Sequence, residues 1–331
     1  MSDLVLVTGA TGFVGSAVVR KLVARGDAVR VLVRAGGDRR NLSGLDVAVA
    51  EGDLTDLPSL ARAVAGCRYV FHVAADYRIW VPDADAMRRV NVEGTRILML
   101  AALAAGVERV VYCSSVAALG INAEGMPADE TTPVAEADIV GVYKKSKYQA
   151  EQLVLGLVAS HGLPAVIVNP AAPIGPRDVK PTPTGKMIID AANGRMPAYL
   201  NTGLCVVHVD DVAAGHLLAL EKGRVGERYI LGGTNMTLAQ LLTLVDEEAG
   251  RSSRRVRLNE AVLWPVAMAS EALTRFKIAP LVTRDHLRMA RKRMYFSSDK
   301  ARRELGYNAQ PARLAVRDAV GWFREAGMIG K

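Results

Sequence analysis

Cysteine is scarce in this chain: Cys67, Cys113 and Cys205 are the only three in 331 residues, far apart and without metal-ligand spacing. That pattern excludes a disulfide framework and a structural zinc site, and it reads as reduced thiols in a cytoplasmic protein with no metal. Aromatic residues are also few, at 5% of the chain. None is interleaved with the basic clusters as a base-stacking surface requires, so nucleic acid is not an expected partner. No window approaches the roughly 20 apolar residues that a spanning helix needs. The chain runs from Met1-Ser2-Asp3 straight into an apolar strand and a glycine turn. The basic leader and apolar stretch of a secretory signal are missing, which again points to the cytoplasm.

What is present is globular in character: 50% apolar and 23% charged residues, enough to bury a real core. The net charge of +8 is unevenly spread. Arg34, Arg39 and Arg40 sit early, while Arg251, Arg254, Arg255, Arg257, Arg284, Arg288, Arg291, Lys292 and Arg293 crowd the C-terminal part. Most of this excess reads as solvated helix faces. The apolar segment Ala261–Ala269 beside that cluster has two readings. One is core; the other is an interfacial helix making peripheral contact with an anionic membrane.

Apolar periodicity alternates strands and helices through the first half. Strands are expected at Leu4–Val7, Val29–Val33, Val47–Val49, Tyr69–Val73, Arg109–Cys113 and Ala165–Val168, with helices near Phe13–Arg25, Ala86–Ala105 and Val142–Ser160. This alternation predicts an α/β fold, a doubly wound parallel sheet of the Rossmann kind with a smaller C-terminal substrate lobe. Residues 1–170 are expected to bind the dinucleotide, with roughly 204–223 returning to that domain. Residues 171–203 and 224–331 would form the substrate side. A strand near Val206 and a helix over about Asp210–Lys222, capped by Asp210, are also expected.

Thr8-Gly9-Ala10-Thr11-Gly12-Phe13-Val14-Gly15 joins the first strand to the first helix. Glycines at 9, 12 and 15 serve a tight turn, close approach of backbone to a pyrophosphate, and close helix–strand packing. The helix N-terminus offers unpaired N–H groups and a positive dipole. At the end of the second strand, where an NAD site places an acid, stands Arg34. A guanidinium pairs with a 2′-phosphate, so the expected cofactor is NADP(H), with Arg39 or Arg40 as a second contact. Asp53, in Gly52-Asp53-Leu54, is a candidate for the adenine edge.

Tyr143 and Lys147 lie four apart on one predicted helix face. An ammonium beside a phenol favours the phenolate. Ser115 ends the fifth strand, at the sheet edge where open parallel sheets bind ligands. Tyr77 and Trp80 follow the fourth strand at the same edge and are candidate substrate walls; Arg177, with Lys180, Thr182 and Thr184, is a candidate for a polar or phosphorylated group. His72 reads as a packed core histidine.

The glycine turn, Ser115, the Tyr143/Lys147 pair, Asn91 in Val90-Asn91-Val92-Glu93-Gly94-Thr95 and His208-Val209-Asp210-Asp211-Val212 together resemble the extended short-chain dehydrogenases/reductases over essentially the whole chain. Phe71–Trp80, Asn169–Asp178 and Lys180–Gly185 carry a narrower likeness to the dihydroflavonol-reductase-like branch and to the hopanoid-associated sugar epimerases. The resemblance implies Tyr143 as general acid/base, Ser115 orienting the substrate oxygen, and Lys147 bonding the nicotinamide ribose and depressing the Tyr143 pKa. It implies Asn169 and Pro170 against the nicotinamide, Asn91 and Ala74 on the cofactor side, and a homodimer. The implied reaction is hydride transfer at a secondary alcohol or carbonyl of a sugar, nucleotide-sugar or lipid-linked sugar, as an epimerase or as a net NADPH-dependent reductase. A non-catalytic NADP-binding sensor is the reading from a different class.

Overall fold

The computed structural model describes residues 3–78, 81, 83–122, 125–259, 263–265, 267–268 and 293–330. The unbroken apolar run of β1 (Leu4–Thr8) leads through the glycine turn into α1 (Phe13–Arg25). Gly26 ends that helix in the left-handed region, its N–H bonded back to Leu22 and Val23. Then come β2 (Ala28–Val33), β3 (Ala48–Glu51), α2 (Leu57–Val64) and β4 (Tyr69–His72). The single long helix expected near 86–105 is instead α3 (Ala84–Arg88) and α4 (Gly94–Ala104), separated by a π turn over Arg89–Glu93. Such wide turns recur at functional sites, and this one carries Asn91.

β5 (Arg109–Cys113), α5 (Val142–His161) and β6 (Ala165–Pro170) complete the expected alternation. Beyond them lie β7 (Ala172–Ile174), α6 (Pro183–Ala192), β8 (Ala198–Leu200), β9 (Gly203–His208), α7 (Val209–Lys222) and β10 (Arg228–Leu231). The chain continues with β11 (Thr234–Thr237), α8 (Leu238–Ala249), β12 (Val256–Leu258), β13 (Arg293–Met294), α9 (Asp299–Leu305) and α10 (Ala312–Glu325).

The main sheet is parallel, in the order β3-β2-β1-β4-β5-β6-β10. Chain order reverses between β1 and β4, which opens the crevice where doubly wound folds hold ligands. One core lies under α1, α7 and α9, and another under α2, α4 and α5. A third joins β9 to α6, α8 and α10.

The strand near Val206 was expected to return to the main sheet. β9 pairs instead with β7, β11 and β13, in a second sheet. The elements that do return are α7, packed along α1, and β10, which pairs with β6. Exposed-edge pairing explains the difference: β6 had a free edge that β10 reaches, whereas buried apolar runs such as β9 suit either sheet. Asp210 does not cap α7; His208 does, its Nδ1 accepting the Asp210 N–H at 3.0 Å. No helix among the described residues is long and apolar enough to cross a membrane. Of the apolar segment 261–269, residues 261, 262, 266 and 269 lie outside the described residues, as do Arg284, Arg288, Arg291 and Lys292.

Candidate active site

The glycine turn is built by contacts that leave no space for side chains. Gly9 adopts φ 70°, and a Cβ there would stand 2.6 Å from the Ala74 nitrogen. At Gly15 a Cβ would lie 2.1 Å from the Gly9 carbonyl oxygen. Phe13 and Val14 begin α1, whose first turn carries no side-chain cap and no acid, so its N–H groups and dipole face the turn uncontested. Asn41 steadies the turn by donating to the Thr11 carbonyl at 3.1 Å.

At the end of β2, Arg34 is exposed, and its side chain has no hydrogen-bond or ion-pair partner among the described residues, while its carbonyl accepts the Gly37 N–H at 2.9 Å. With Gly52, Asp53 and Arg62 it lines an open cleft of about 400 Å³. Asp53 accepts from the Thr55 N–H and hydroxyl at 2.9 and 2.7 Å. Burial alone would raise its pKa, but Thr55 and the nearby Arg34 outweigh that and lower it. Leu54 packs under Gly94 at the start of α4. The other two arginines are already committed: Arg39 to Glu51 at 2.5 Å and Arg40 to Asp38 at 2.8 Å. A second contact from Arg39 or Arg40 would have to draw the arginine away from its acid.

At the other end of the crevice, Ser115 follows β5 and Tyr143 opens α5. The Ser115 hydroxyl accepts the Ala117 N–H at 3.1 Å and lies beside the Tyr143 phenol. Burial pushes the Tyr143 pKa up to about 12, against the lowering effect of Ser115. Lys147 is buried, and its ammonium donates to the Cys113 carbonyl at 2.8 Å and to the Tyr112 hydroxyl at 3.3 Å. Desolvation lowers its pKa, and Glu151 partly opposes this. The expectation that Lys147 depresses the Tyr143 pKa is not met by these groups. Desolvation of the phenol dominates, and the ammonium is turned to the β5 strand.

Asn169, at the end of β6, donates to the fully buried Glu151 carboxylate at 2.7 Å and to the Ser115 carbonyl at 3.0 Å. Its own carbonyl oxygen is buried without a partner, beside the buried Pro170. Such an acceptor calls for a donor from a ligand. The glycine turn, the unpartnered Arg34 guanidinium and the Asn169 oxygen fit a dinucleotide lying across the crevice.

Asn91 is drawn differently. Its amide accepts from the Asp76 N–H at 2.7 Å and donates to the Asp76 carbonyl and the Ser146 hydroxyl, both at 2.9 Å. The side chain pins the loop after β4 to α5 and has no donor left for a cofactor. Ala74 lies between, its N–H donating to Thr8 Oγ1 at 3.2 Å. Tyr77 is exposed after β4. Trp80 lies outside the described residues. Arg177, at φ 73°, binds Asp210 through Nη2 at 2.5 Å while its Nε is buried without a partner, and Thr182 caps α6. Glu151, Thr95 and Tyr112 escaped sequence reasoning. Only Glu151 left a signal, an acid one turn beyond Lys147 on the same face.

A model described as the NAD dependent epimerase/dehydratase family matches residues 5–232. The chain belongs to that family. Its members are the extended short-chain dehydrogenases/reductases, enzymes that bind a nicotinamide dinucleotide. Relatives of this epimerase/dehydratase chain include a protein of Synechocystis named putative dihydroflavonol 4-reductase, 43% identical over 99% of this chain and 97% of that one. The sterol demethylase protein B of Methylococcus capsulatus is 39% identical over 98% and 99%. Among solved structures, gox2253 superposes with a TM-score of 0.91 at 58% identity, covering 99% of this chain and 100% of that one.

Proposed function

We propose that the protein is an NADPH-dependent carbonyl reductase, with Ser115, Tyr143 and Lys147 as its catalytic residues. The observation that carries this reading is geometric: the Tyr143 phenol lies beside the Ser115 hydroxyl at the carboxyl edge of the sheet, one helical turn from the buried Lys147, and burial raises its pKa further above neutrality. At neutral pH such a group is a proton donor, which is what carbonyl reduction requires of it. The bound dinucleotide supplies the hydride. The Ser115 hydroxyl holds the carbonyl oxygen, and the Tyr143 phenol gives that oxygen its proton as negative charge develops there. Lys147 anchors the nicotinamide ribose. Asn169 accepts from the carboxamide, and Arg34 pairs with the 2′-phosphate, which makes NADPH the preferred cofactor.

The names of the two relatives, one for dihydroflavonol and one for sterol, favour a ring ketone on a polycyclic molecule. A hopanoid lipid or a sugar borne on one belongs to that range. Incubation with 4-deuterated NADPH and dihydroflavonols, ketosteroids, nucleotide-sugars or hopanoid polyols, followed by mass spectrometry, tests the reading. Net deuterium gain matched by NADP⁺ is expected. Inversion at a carbinol centre without net cofactor use would make the enzyme an epimerase instead.

A further inference from the structure

The nicotinamide end of the site has a polar backing that no step above uses. His72, with no solvent exposure, lies between two threonines: Thr8 Oγ1 is 2.8 Å from Nδ1 and Thr95 Oγ1 is 2.9 Å from Nε2. Thr95 also donates to the Asn91 carbonyl at 2.7 Å, and the Tyr112 hydroxyl lies beside it. That hydroxyl in turn receives the Lys147 ammonium at 3.3 Å. At the far end, the Ala74 N–H donates to Thr8 Oγ1 at 3.2 Å.

Counting protons orients the chain. A threonine hydroxyl has one proton and two lone pairs. Thr95 commits its proton to the Asn91 carbonyl, so it accepts from both His72 and Tyr112. His72 therefore carries its proton on Nε2, and its bare Nδ1 accepts from Thr8. Lys147 gives to Tyr112, and Tyr112 gives to Thr95. Each proton has a single destination. Burial and the Lys147 charge push the His72 pKa down to about 3, which keeps the ring neutral.

We propose that Tyr112, Thr95 and His72 are positioning residues, a hydrogen-bonded strut whose two arms converge on Thr95 and which holds the Lys147 ammonium at a set place relative to Thr8 and Ala74 beside the glycine turn. The proposal rests on the reading of Lys147 as a ligand of the nicotinamide ribose. A lysine stem has four rotatable bonds and retains freedom unless acceptors hold its head. Tyr112 and the Cys113 carbonyl take two of its protons and leave the third for the ribose. Ala74, which forms the wall against Gly9, hangs on the other end of the strut. The lysine and the wall of the glycine turn thus share one buried network.

The test compares ligands that do and do not reach Lys147. In Tyr112→Phe, NADPH should bind about tenfold more weakly, the scale of one lost hydrogen bond to a charged group. Adenosine 2′,5′-bisphosphate, which lacks the nicotinamide ribose, should bind unchanged. Long-range ¹H–¹⁵N spectra of the histidine-labelled full chain should show His72 neutral and protonated on Nε2 at neutral pH. Thr95→Val should perturb that tautomer and weaken NADPH, and Thr95→Ser should restore both. A His72 proton on Nδ1, unchanged NADPH affinity in Tyr112→Phe, or equal weakening of both ligands would each overturn the strut alone. A wild-type protein that binds neither ligand would overturn the NADPH reading, and the strut with it.

Discussion

The Cβ that Gly15 lacks would stand 2.1 Å from the carbonyl oxygen of Gly9. Both atoms belong to backbone, so neither side can yield without moving α1 away from the turn. Gly15→Ala is expected to cost about 1–3 kcal/mol of stability or more and to weaken NADPH at least tenfold. Urea denaturation and fluorescence titration read the two effects. NADPH affinity within twofold of wild type would contradict the packing described.

Tyr143→Phe removes the proton donor and keeps the ring. Turnover should fall by roughly 10²–10⁴-fold, while NADPH affinity stays within about twofold. Steady-state kinetics on any ketone the wild type reduces, together with NADPH titration, separates chemistry from binding. A variant that keeps its rate removes Tyr143 from the reaction.

Arg34→Ser should weaken NADPH by about 1.5–3 kcal/mol, the worth of a hydrogen bond to a charged group. NADH affinity should hardly change, since Arg34 would have only the 2′-phosphate to meet. The ratio of the two dissociation constants is the measurement. An unchanged ratio would place the NADPH preference elsewhere.

Two buried histidines tie stability to pH. Burial pushes His72 to about 3 and His216 to about 4, against an ordinary value of 6.5. Below pH 6.5 the unfolded chain takes up protons that the folded chain refuses, so stability falls as pH falls toward those values. Asp178 acts in the opposite sense. Burial raises it to about 6 from 3.8, so between those values the folded state holds a proton that the unfolded state has lost. The two histidines outnumber it, and thermal midpoints should drop from pH 6.5 to 4.5. Replacing His72 with Gln should flatten that slope by about one proton, about 1.4 kcal/mol per pH unit. An unaltered slope would show that His72 is not the group refusing a proton.

The apolar run of β1, the glycines at 9, 12 and 15, and the Tyr143/Lys147 spacing were all legible because each is a local pattern. A strand–turn–helix and one helical turn are fixed within a few residues of chain. Strand identity beyond residue 170 was not legible: β9 and β10 are both short and buried, and nothing in either run says which sheet edge it will meet. Asn91 was expected to support the cofactor side from its helix; which residues it would hold was not legible, because its partners Asp76 and Ser146 are 15 and 55 residues away.

The sequence by itself determined a doubly wound fold with a dinucleotide turn and a serine–tyrosine–lysine set at the carboxyl edge of its sheet. Periodicity and glycine placement are enough for that, since they act over one element and its neighbour. Only the tertiary structure decided that the Arg34 side chain stays free while Arg39 and Arg40 are paired, that Lys147 leans on Tyr112, and that Tyr143 is desolvated beside Ser115. Those outcomes depend on desolvation and on hydrogen-bond partners brought together from distant segments, which no run of residues records.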